Sequence, residues 1–109
     1  MSTKNNLKAK EELSRDQEYQ KLFAKAVKAY NKREYKESYC SFQSVAYRYK
    51  IERTKLAYDA KYFLGIHLMT GLGVSKNPKE ARNLFKEVST SDSKYKEATR
   101  EQLNNLSLI

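Results

Sequence analysis

From Leu22 onward, apolar side chains recur at steps of three and four, the spacing that lines one face of an α-helix. Leu22, Phe23, Ala26, Val27 and Tyr30 form the first such line. Asn31-Lys32-Arg33 closes it with cations that suit the negative end of the helix dipole. Tyr35, Ser38, Tyr39, Phe42, Val45, Ala46 and Tyr49 form a second line, predicting a helix from about Glu34 to Lys50. Leu56, Ala57, Ala60, Phe63, Leu64, His67 and Leu68 form a third, from about Arg53 to Thr70. Gly71 is placed for a left-handed C-terminal cap. Asn77 and Pro78 are an N-cap and a first-turn proline for a fourth helix, with Ala81, Leu84, Phe85 and Val88 on its apolar face. After a polar break, Tyr95, Ala98, Leu103 and Leu106 mark a fifth, from about Ser93. Residues 1–16 are polar, and the reading there is a tail that becomes helical near Lys8. The expected architecture is all-α, about five helices in antiparallel hairpins. Residues 1–17 form a polar N-terminal tail, partly disordered or a frayed helix, and residues 18–109 a helical-repeat domain.

Composition agrees with that pattern. Three Gly and one Pro are too few for a turn-rich all-β fold. Nine Tyr and four Phe oppose disorder by supplying large buriable rings. At 109 residues the chain fits one domain with a thin core. The single cysteine, Cys40, excludes an internal disulfide framework and suits a reducing compartment. No apolar signal segment opens the chain, and no run approaches the ~18 apolar residues of a membrane span. An intracellular protein is expected, in the cytoplasm before the nucleus.

The run Asp59-Ala60-Lys61-Tyr62-Phe63-Leu64-Gly65 through Thr70-Gly71-Leu72-Gly73-Val74 resembles the first half of a Sel-like repeat. Asn77-Pro78-Lys79-Glu80-Ala81-Arg82-Asn83-Leu84-Phe85 resembles its second half. The matching positions are Ala60, Leu64, Gly65, Gly71, Gly73, Val74, Ala81 and Phe85, with Met69 and Val88 departing from the usual pattern. Upstream, Phe23, Ala26, Tyr30, Tyr35, Ser38, Phe42 and Val45 resemble a plain tetratricopeptide hairpin. There Arg33-Glu34-Tyr35 replaces the usual glycine-bearing turn and Ser38 replaces Ala. The resemblance implies a short α-α superhelix closed by a capping helix, and a protein–protein scaffold or adaptor role. Two repeats and a cap are few for an independent solenoid, so a partner or an oligomer that completes the core is a natural expectation.

Candidate chemistry is sparse. His67 is the only histidine and has no ligand-spaced companions, so the expectation is a structural residue, with no metal, no cofactor and no catalysis. Gly71-Leu72-Gly73 lacks the strand and the Lys-Ser/Thr ending of a phosphate loop. Charge is more informative. The net charge is +9, and residues 21–55 hold ten Lys/Arg against three Glu. Lys21, Lys25, Lys28 and Lys32 step by four, three and four, which makes one stripe along a helix. With Tyr30 they are the candidate contacts for a partner protein with an acidic surface or peptide. Nucleic acid is the second expectation, since the tyrosines interleaved with the basic residues could stack on bases. The plain alternative is a solvated helix face.

Overall fold

The computed structural model describes residues 3–47 and 55–107, and within them the side chains of 17–47 and 55–106. Five α-helices follow one another among the described residues: α1 (Thr3–Asn31), α2 (Tyr35–Tyr47), α3 (Lys55–Thr70), α4 (Pro78–Ser89) and α5 (Lys96–Ser107). All the regular secondary structure among the described residues is helical, as the periodicity predicts. α1 starts at Thr3, five residues before the expected point. Arg48, Tyr49, Lys50 and Arg53, expected at the facing ends of the second and third helices, lie outside the described residues.

Each helix packs chiefly on its neighbours in sequence, and α1 touches α3 only lightly. That order is a run of antiparallel hairpins. The radius of gyration is 15.5 Å, with principal extents of 60 × 29 × 17 Å. A compact chain of this length would reach only about 13 Å. α1 accounts for much of the length, since its 29 residues span roughly 43 Å at 1.5 Å per residue. Tyr19 is the first of its described side chains to be buried.

One core runs through the stack. Ala26 of α1, Phe42, Val45 and Ala46 of α2, Ala60, Leu64 and Leu68 of α3, Ala81, Leu84 and Phe85 of α4, and Leu106 of α5 form a single buried cluster. Every helix contributes its three-and-four-spaced face, so the hydrophobic pattern and the packing agree. Gly65 is required by that packing, because a Cβ there would overlap the fully buried ring of Phe85.

Among the described residues, the turns after α1 and α3 use three left-handed residues. α1 ends in a Schellman motif: Glu34 N–H donates to Ala29 O at 2.9 Å and Arg33 N–H to Tyr30 O at 3.0 Å. Its left-handed residue is Arg33, at φ 64°. The unusual turn noted in the sequence is therefore closed by a non-glycine residue. At the end of α3, Leu72 N–H donates to His67 O at 3.0 Å and Gly71 takes φ 73°. Gly73 follows at φ 70°, and a Cβ on it would lie 2.5 Å from the carbonyl carbon of Tyr35. The α3–α4 loop is thus laid directly on the first turn of α2. Val74, partly buried, packs the same loop onto the core. Asn77 then caps α4, accepting at Oδ1 from Glu80 N–H at 3.2 Å with Pro78 in the first turn.

Candidate interaction surfaces

Lys21, Lys25, Lys28 and Lys32 are all exposed on α1. At 3.6 residues per turn they fall within a sector of about 60°. Lys25 Nζ lies 3.9 Å from Glu37 Oε1 of α2, a long ion pair between two exposed groups. Such a contact contributes little, so the stripe keeps its positive field. Arg33 and Lys36 extend the basic surface past the end of α1 and are also exposed.

Tyr30 does not belong to this stripe. It sits two residues from Lys28 and from Lys32, which places it nearly opposite them on the helix. Its ring packs edge-on against Tyr35 at 5.7 Å, Phe63 at 5.6 Å and His67 at 5.5 Å. The structure therefore separates the cationic face of α1 from its tyrosine.

Tyr30 is instead part of a row of partly exposed rings that crosses three layers. Phe23 of α1 meets Phe63 of α3 at 6.0 Å, and Phe63 meets Tyr95, just before α5, at 5.3 Å. Tyr62 stacks on Tyr95 at 4.5 Å with the planes 5° apart. Beneath the row, Phe42 stacks on Phe63 at 4.6 Å. Edge-on and offset contacts of this kind add to the burial of the rings and hold them in fixed positions. Burial, the proximity of Tyr30 and Tyr95, and Glu101 push the Tyr62 hydroxyl above its usual range, so it stays neutral and can donate.

His67 is fully buried at the junction of α2, α3 and the α3–α4 loop. The rings of Tyr30, Tyr35, Tyr39 and Phe42 surround it at 5.5–6.1 Å. Its Nδ1 lies 2.7 Å from Leu72 O, which can only accept, so Nδ1 carries the proton. Nε2 lies 3.0 Å from Ser38 Oγ, and that hydroxyl is also 3.1 Å from Tyr35 O. Burial lowers the His67 pKa, and the Leu72 hydrogen bond only partly opposes it. Ser38 and His67 make a serine–histidine pair, but both are at 0% exposure, out of reach of a substrate. They are mutual hydrogen-bond partners inside the core.

Two charged groups, Asp59 and Lys61, are also buried where apolar patterning gave no sign of them. Asp59 of α3 accepts from Ser93 Oγ at 2.5 Å, and the same oxygen accepts from Tyr95 N–H at 3.1 Å. This pins the turn before α5 onto α3 and fixes the Tyr95 ring. Lys61, 6% exposed, reaches Glu87 of α4 at 3.3 Å. Its ammonium lies over the Tyr47 and Tyr58 rings at 5.5 and 5.3 Å.

The positions that carry the repeat resemblance are where helices cross and turn. Ala60, Leu64, Ala81 and Phe85 are buried in the shared core, Gly65 faces Phe85, and Gly71 and Gly73 take positive φ in the loop. Cys40 is exposed on α2. Among the described residues, no group of three His, Cys, Asp or Glu is placed to hold a metal ion, and no helix is long and apolar enough to cross a membrane. No protein-family model, no curated protein and no solved structure matches this chain.

Proposed function

We propose that this protein is a non-enzymatic adaptor or scaffold of the Sel-like and tetratricopeptide type, which binds a partner protein through its helical surface. The row of partly exposed rings from Phe23 and Tyr30 through Phe63 to Tyr62 and Tyr95 supports this reading most strongly. Rings held by their neighbours lose little entropy on binding, which is why Tyr and Phe serve well as interface anchors. The Lys21, Lys25, Lys28 and Lys32 stripe has a separate part in this scheme. Exposed, and among the described residues ion-paired only at Lys25, it steers a partner with an acidic surface and raises the encounter rate.

The second reading, nucleic-acid binding, draws on the same stripe and the net charge of +9. The rings favour it less, because Tyr62 and Tyr95 stack on each other and Phe63 on Phe42, so each of these rings has one face already covered and closed to a base. A labelled single-stranded RNA, titrated at roughly 50 and 200 mM salt, separates the two. The adaptor reading expects no saturable binding at the lower salt. Tight, saturable binding there, with an affinity that falls steeply at the higher salt, overturns it.

A further inference from the structure

At the end of the second hairpin, where α3 stops and α4 starts, a groove of about 270 Å³ is lined by Met69, Lys76, Pro78, Arg82 and Leu106. Its floor is apolar, with Met69 partly buried and Leu106 only 6% exposed. Its rim is cationic. Lys76 and Arg82 are exposed, and neither has a carboxylate partner among the described residues.

We infer that this groove is a docking site for a short acidic segment of a partner protein, seating one bulky apolar side chain between flanking carboxylates. The inference rests on the adaptor reading and gives it a location. Size suits a single side chain, because the groove lies at the small end of the roughly 300–1,000 Å³ typical of small-molecule and cofactor sites. Charge decides the neighbours of that side chain, because two unpaired cations beside an apolar floor reward carboxylates on either side of it and repel a basic segment. Arg82 can hold a carboxylate in a bidentate grip, which gives direction as well as attraction.

The test is an NMR titration of the full, ¹⁵N-labelled chain with the blocked pentapeptide Asp-Glu-Phe-Glu-Asp. The expected result is saturable shifts at Met69, Lys76, Arg82 and Leu106. These weaken at least about tenfold in a Lys76→Glu, Arg82→Glu variant, and equally when Gly replaces the peptide's Phe. Both substitutions are at exposed positions, so the variant's unperturbed core resonances confirm its fold. Shifts confined to Lys21, Lys25, Lys28 and Lys32 would overturn the groove while leaving an acidic partner in place. Shifts at the groove that follow protein concentration alone would assign it to a second copy and also overturn the proposal. No saturable shift anywhere would remove both the groove and the acidic-partner reading.

Discussion

Arg33, His67 and Gly73 carry constraints that no neighbour can take over. Arg33 holds φ 64° to close the turn after α1. A side chain in that conformation costs about 1–2 kcal/mol, which glycine avoids. Arg33→Gly is expected to stabilise the protein by about 1 kcal/mol in urea denaturation. Gly73 is the opposite case. With positive φ and backbone 2.5 Å from a would-be Cβ, Gly73→Ala is expected to cost at least about 2 kcal/mol by the same measurement. His67 makes stability depend on pH. Burial favours its neutral form, so its folded pKa lies below the ordinary 6.5. Below 6.5 the unfolded chain therefore binds more protons than the folded one, and stability is fully present above that value and declines as the pH falls. Urea midpoints should drop between pH 7.5 and 5.5, and the drop should shrink in His67→Gln. A drop of the same size in that variant would assign the effect elsewhere.

At the level of elements, the helices form because periodicity, caps and turn residues agree. Asn77→Ala removes the α4 cap and is expected to cost about 1 kcal/mol in thermal or urea unfolding. Lys61 bridges α3 and α4 from a buried position through Glu87. Only the Lys61 ammonium is desolvated, because the Glu87 side chain is half exposed, so an apolar residue at 61 removes that desolvation cost and leaves no buried charge behind. Lys61→Met should therefore leave stability within about 1 kcal/mol of the wild type, and a larger loss would mean that the pair and its tyrosines contribute more than this.

These elements also show how far the sequence reaches. The hairpin from Lys55 to Ser89 was legible, because Gly71, Asn77 and Pro78 mark its turn and Leu64 and Phe85 its interior. The start of α1 was not, since its first turns are polar and lack a periodic face. The Schellman turn at Arg33 was hidden because a left-handed residue is normally sought among glycines. Ser38, which departs from the repeat pattern, is explained only by its partner His67, 29 positions away. The opposition of Tyr30 to the lysine stripe, by contrast, follows from helix arithmetic alone. It places Tyr30 on the side of α1 away from the four lysines with which it was named as a candidate contact.

Across the described residues, the lysine stripe of α1 and the ring row lie apart, while Lys94 Nζ sits 5.3 Å from the centroid of the Tyr95 ring at the end of that row. The lysine stripe runs along the outer side of α1, while the ring row crosses α1, α3 and the turn before α5. In the adaptor role proposed above, the stripe attracts a partner and the rings hold it. Reversing the stripe should slow association and flatten its salt dependence, with little effect on dissociation. Truncating Tyr62 or Tyr95 should act mainly on dissociation. Surface plasmon resonance with a captured partner reads both rates.

The most direct measurement is affinity purification of the full chain from nuclease-treated lysate, quantified by mass spectrometry. Wild type is compared with the variant Lys21→Glu, Lys25→Glu, Lys28→Glu, Lys32→Glu. The account predicts that a specific protein with an acidic surface is recovered equally with and without nuclease, and in clearly lower yield by the variant. Recovery that disappears on nuclease treatment, leaving no protein specific to the wild-type chain, would contradict it.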